Sequence, residues 1–97
     1  MSLLNRRQLN NLTEIFGILT DKTRVKILKL LLENKEVCVS DIAKVVNVSL
    51  SAVSHQLRKL ELLKIVSSQR KGQTICYYLN KNSRSTKIFE KLLSLKI

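Results

Sequence analysis

Between Leu63 and Ile65 the hydrophobic period of this chain changes. Before that point, Val53, Leu57 and Leu60 recur at spacings of four and three, the stripe of a helix. After it, Ile65–Ser68 and Thr74–Leu79 are short β-forming runs separated by QRKG. Gly72 can take the positive φ that a hairpin needs. A helix that runs directly into a hairpin leaves few folds open.

The segments upstream narrow the choice. Leu3, Leu4, Leu9, Leu12, Ile15, Phe16 and Leu19 fall at helical spacing and predict a first helix over 3–18. Thr20 or Asp21 is expected to cap a second helix, 21–33. Its apolar Val25, Ile27, Leu28, Leu31 and Leu32 leave Lys22, Lys26 and Lys29 on another face. In EVCVS, Val37, Cys38 and Val39 suit a short strand. Ser40 suits the N-cap of a third helix, 41–46, with Asp41 near its positive end. Asn47 can end that helix in a left-handed conformation. Ser49 caps again, and LSAVSHQLRKLELL reads as a fourth helix. Two helices joined through Asn47–Ser49 make a helix-turn-helix. A last helix, about 83–96, carries Ile88, Phe89, Leu92 and Leu93. The predicted class is mainly α with a small β-hairpin: a winged helix-turn-helix with an extra helix at each end, one domain over 1–97.

Charge then points to a partner. Eighteen Lys and Arg face seven Asp and Glu, a net charge of +11. Such a field captures polyanions, and neutralising phosphates releases counterions. A membrane surface is a weaker partner, because interfacial helices use aromatic anchors, and here aromatics are 4% and Trp is absent. Scarce aromatics also argue against single-strand binding, which stacks bases on rings. Double-stranded DNA is the expected partner. No apolar run approaches the roughly 18 residues of a membrane span. MSLLNRRQLNNL lacks a secretory apolar stretch, which predicts a cytoplasmic protein. Two cysteines without such a signal argue against a disulfide framework. One His, no clustered carboxylates and two Gly offer no catalytic constellation and no nucleotide loop, so neither an enzyme nor a cofactor is expected.

A recognition helix turns its N-terminal half toward the bases. The face opposite Val53, Leu57 and Leu60 presents Ser51, Ala52, His55 and Arg58, with Ser54 beside it. Hydroxyls and imidazole can bond base edges, Ala52 can touch a thymine methyl, and Arg58 can take a base or a phosphate. Arg70, Lys71 and Gln73 at the hairpin tip are expected over flanking phosphates or the minor groove. In an isolated helix or hairpin these would be ordinary solvated residues. The fold and the charge raise them to DNA contacts.

SAVSHQLRKL followed by IVSSQRKGQTICYYL resembles the ArsR/SmtB family of metal- and stress-responsive repressors. LTDKTRVKILKLLL looks like that family's second helix and EVCVSDIA like the lead into its third, so the likeness covers roughly residues 13–80. Family members often place Gly after the recognition helix, where this chain has Lys64. The resemblance implies a homodimer built from the first and last helices, and a repressor on a pseudo-palindromic operator that overlaps a promoter. Binding of an inducer would release it. It also places His55 in the DNA-facing SHQL segment. The family's Asp-x-His and His/Glu metal positions fall here at Lys81, Ser83, Ser94 and Ile97, none a good ligand. Its Cys-x-Cys motif is reduced to Cys38 and Ser40, and a hydroxyl is a poor ligand for soft metals. No metal site is expected. A thiol switch would need Cys38 and Cys76 within ~7 Å between Cα atoms, or pairing between subunits. Otherwise both read as small buried apolar residues, and Cys38 is the one candidate sensor thiol. The alternative to a specific repressor is a nucleoid-type architectural protein that binds DNA without reading sequence. A partner-binding module would instead need an exposed apolar face, which the last helix could supply.

Overall fold

The computed structural model describes residues 4–94. Its first helix, α1 (Arg6–Leu19), opens with a capping box: Gln8 N–H donates to the Asn5 side chain, and the Asn5 N–H donates to the Gln8 side chain. Its start is thus a few residues later than the apolar pattern suggests, because Asn5 satisfies the free donors there. Thr20 closes α1, and Asp21, which accepts from Thr23 N–H at 2.9 Å, opens α2 (Lys22–Glu33).

β1 is only Val37–Cys38, and α3 (Val39–Val46) follows without a break. Two expectations fail here. The N-cap is Cys38, with no side-chain bond to the helix, and Ser40 lies inside the first turn. Val39, expected in the strand, is the first helical residue. Pairing of Val37 and Cys38 with the hairpin fixes where extended backbone stops, and this outweighs the capping preference of serine. Asn47 ends α3 at φ 58°, and both its own N–H and that of Val48 turn back to the Ala43 carbonyl. Ser49 accepts from Ala52 N–H and starts α4 (Leu50–Leu62). Lys64 repeats the device of Asn47. At φ 61° it lets Ile65 N–H reach the Leu60 carbonyl and sends the chain into the hairpin.

The hairpin is β2 (Val66–Lys71) and β3 (Thr74–Leu79). Gln69, Arg70 and Lys71 lie in β2, opposite Cys76, Ile75 and Thr74, so the loop is Gly72–Gln73 alone and not QRKG. Gly72 takes φ 65°, as that tight turn requires. β1 adds to the other side of β3, giving an antiparallel sheet of order β1-β3-β2, one strand more than the expected two-stranded wing. Asn80 then ties the hairpin's base to the end of α4, donating to the Lys64 carbonyl from its side chain and to the Ile65 carbonyl from its backbone. α5 (Arg84–Leu93) closes the described chain.

One core joins these parts. Ile27, Leu28 and Leu31 of α2 and Ile42 and Val46 of α3 meet Val53, Leu57 and Leu60 of α4, with Val66 and Leu79 from the sheet and Phe89 from α5. Each such side chain contributes about 1.5–3 kcal/mol by leaving water. Among the described residues of α1, Ile15 and Ile18 enter the core and Leu19 packs against it.

Candidate nucleic-acid interface

Burying Val53, Leu57 and Leu60 fixes the rotation of α4. The opposite face, with Ser51, Ala52, His55 and Arg58, is exposed, and Ser54 is half-buried at its margin. Every residue assigned to this face from the sequence therefore lies on one side of one helix. Arg58 Nε donates to the Ser54 carbonyl at 3.4 Å, which lays the guanidinium along the helix.

A polar bridge missed by the sequence reading holds α4 in place. Gln56, between the core and exposed faces, donates to Asp21 at 3.0 Å and accepts from Arg24 Nε at 2.6 Å. Arg24 also reaches the Gly17 carbonyl at 3.3 Å. The end of α1, the start of α2 and the middle of α4 are thus joined. The signal in the sequence was a polar residue at a semi-buried position of an amphipathic helix, but its partners lie over 30 residues away.

The hairpin's basic residues are less free than expected. Arg70 is exposed but folds its Nε onto the Gly72 carbonyl at 3.3 Å. Lys71 pairs with Glu36, just before β1. Gln73 is exposed in the turn. Between α4 and the sheet runs a groove of about 390 Å³ lined by Val39, Ser54, Arg58, Glu61, Ser68, Ile75 and Tyr77. Ser68 donates to Glu61 across it at 2.7 Å, fixing the wing against the helix. Burial pushes the Tyr77 hydroxyl above its usual pKa. The Glu61 charge adds to this and Arg58 opposes it.

The two cysteines overturn a further expectation. The register sets Cys38 opposite Cys76 and the sulfurs are bonded, so the chain does contain a disulfide. Sequence could not place residues 38 positions apart on neighbouring strands. Ligand atoms of Glu36, Cys38 and Cys76 lie within 4.8 Å of one another, but the two sulfurs are bonded to each other and the Glu36 carboxylate is paired with Lys71. Of the positions matching the family's other metal set, Lys81 is exposed, Ser83 is the N-cap of α5 and Ser94 its C-cap, and Ile97 lies outside the described residues. Among the described residues no helix is long and apolar enough to cross a membrane.

Comparison with known proteins gives this geometry a family. The model for bacterial regulatory proteins of the arsR family matches residues 21–68, from the Asp21 cap to the middle of β2. The cadmium resistance transcriptional regulatory protein CadC of Listeria innocua is 37% identical over 75 residues, covering 77% of this chain and 62% of that protein. This chain therefore spans about three fifths of the length of that curated relative. The transcriptional repressor SdpR of Bacillus subtilis is 39% identical over 69 residues, 71% of this chain and 76% of SdpR. The crystal structure of the antimony-specific transcriptional repressor AntR superposes with a TM-score of 0.81 at 27% identity, over 96% of this chain and 83% of that one. Two helices closed by left-handed residues, a hairpin fixed against the second of them, and matches that run through both make the conclusion direct: the chain belongs to the arsR family of bacterial regulatory proteins.

Proposed function

We propose that this chain is a homodimeric, sequence-specific repressor of transcription that binds a pseudo-palindromic DNA operator and is released by an inducer. One observation carries the reading. In a family of bacterial regulators, a helix anchored on its apolar side presents Ser51, Ala52, His55 and Arg58 to solvent as a set. These are short or hydrogen-bonding side chains that fit base edges in a major groove. Ser54 stands at the edge of the set. Arg70, Lys71 and Gln73 are assigned to phosphates or the minor groove beside it, with Lys71 leaving Glu36 to reach them.

Dimerisation is supported by the outer helices. Leu9, Leu12 and Phe16 of α1 and Ile88 and Leu92 of α5 are exposed. Asn5, Arg7 and Gln8 line one depression together with Arg84, so the two helices begin side by side. These exposed apolar residues of α1 and α5 are what a second copy would cover, and two copies would set two recognition helices about one DNA turn apart.

The test is a fluorescence-anisotropy titration with a duplex chosen by rounds of selection from a random library, and with its scrambled form. The preferred duplex is expected to bind at least ~10³-fold more tightly than the scrambled one. Equal affinity for both would point to the architectural alternative instead.

A further inference from the structure

The Cys38–Cys76 bond joins two elements that the proposed DNA reading needs together. Cys38 is the last residue of β1 and the N-cap of α3, the first helix of the helix-turn-helix. Cys76 sits fully buried in β3, the middle strand of the sheet and half of the hairpin. β1 contributes only Val37 and Cys38 to its ladder on β3. Few backbone hydrogen bonds hold it there, and the sulfur bridge is a covalent tie between the leading edge of α3 and the wing.

A second observation concerns α3 itself. No side chain caps its N-terminus. A reduced Cys38 would stand at the N-cap, where a side-chain acceptor takes a free backbone N–H and where the helix end favours a thiolate. One sulfur cannot both cap the helix and bridge to β3. The Glu36 carboxylate lies within 4.8 Å of both sulfurs and holds Lys71, so the same cluster takes in one of the wing's cations.

We propose that Cys38 and Cys76 form a reversible thiol–disulfide switch, resting on the DNA-binding reading above, in which the oxidised form locks β1 and the first turn of α3 to β3 and the reduced form frees that junction. The oxidant class is a hydroperoxide. The Cys38 thiolate, half-buried at the helix end, attacks a peroxide oxygen. The O–O bond breaks, the other oxygen leaves as an alcohol or water after taking a proton, and Cys38 becomes a sulfenic acid. Cys76 sulfur then attacks Cys38 sulfur. The S–S bond forms, the S–O bond breaks, and the hydroxyl leaves with the Cys76 proton as water. Two thiols lose two electrons and the peroxide gains them. A dithiol reductant reverses the reaction by exchange. Because the locked junction between α3 and the sheet need not be ordered on binding, the oxidised protein is the tighter DNA binder.

The experiment uses the full chain in two states, treated with hydrogen peroxide or with dithiothreitol and then desalted. Iodoacetamide labelling and mass measurement establish the number of free thiols in each. Anisotropy titration with the selected duplex is expected to show the oxidised state binding roughly three- to tenfold more tightly. Cys38→Ser is expected to bind like the reduced state under both treatments. Equal affinities, or tighter binding by the reduced state, would overturn the proposal. Amide hydrogen exchange of the free wild-type protein needs neither DNA nor a variant. Reduction should speed exchange in β1, in the first turn of α3 and in β3, and unchanged exchange there also overturns the switch. If neither state binds any duplex, the repressor reading falls, and the exchange measurement decides the lock by itself.

Discussion

Lys64 holds φ at 61°, a conformation in which its Cβ crowds the following carbonyl and which glycine adopts without that contact. Lys64→Gly keeps the backbone carbonyl that Asn80 uses. Relief of the clash exceeds the extra freedom glycine gains when unfolded, so the variant should be more stable by about 0.5–1 kcal/mol, seen as a rise of a few degrees in Tm. Gln56→Leu should do the reverse. It leaves Asp21 and Arg24 without their shared partner and should cost about 1–2 kcal/mol in urea unfolding. Tyr77 gives a pH signature. Its pKa is raised above 10.0, chiefly by burial, so ionisation is harder in the folded chain than in the unfolded one. That contribution to stability is intact below 10.0 and is lost as pH rises through the raised folded value. Tm should therefore fall above pH 10, and fall less in Tyr77→Phe. At this scale the sequence shows local devices well. Asn47, Ser49 and Gly72 act where their own chemistry places them. Contacts between distant segments, such as Cys38 with Cys76 or Gln56 with Asp21, depend on register and helix rotation, which no local pattern carries.

Among the elements, α4 was the most legible, because its buried stripe of Val53, Leu57 and Leu60 decides which side chains face outward. The hairpin was less so. Gln69, Arg70 and Lys71 read as a polar loop, yet they continue β2 because the ladder on β3 extends to Lys71 opposite Thr74. β1 and the start of α3 were misjudged for a related reason: tertiary pairing of two residues overrode the capping preference of Ser40. The proposed division of labour between helix and wing can be tested separately. Arg58→Ala and His55→Ala should lower affinity for the selected duplex by about 1–3 kcal/mol each and reduce its advantage over the scrambled one. Arg70→Ala should weaken binding to both duplexes alike and flatten the salt dependence by about one unit of slope. A change in the preferred sequence on Arg70→Ala would contradict its assignment to the backbone.

For the whole molecule, the described chain measures 53 by 29 by 22 Å, and α1 is buried along little of its length. The apolar residues that the sequence placed in helices at both ends do not all enter the core. Phe16 is 60% exposed, while Phe89 is 1% exposed. A single chain cannot show from its periodicity alone whether such a stripe faces its own core or another copy, so this part became legible only with the fold. Phe16→Glu should leave the monomer fold intact, shift the protein from dimer to monomer in sedimentation equilibrium at micromolar concentration, and weaken operator binding with it. A Phe16→Glu protein that remains dimeric would remove α1 from the interface. A two-fold reader of specific DNA leaves a distinctive hydroxyl-radical footprint on a long duplex that contains the selected sequence. One protected region is expected, made of two related halves about one helical turn apart. Even protection along the whole duplex would instead mark a protein that binds DNA without reading its sequence.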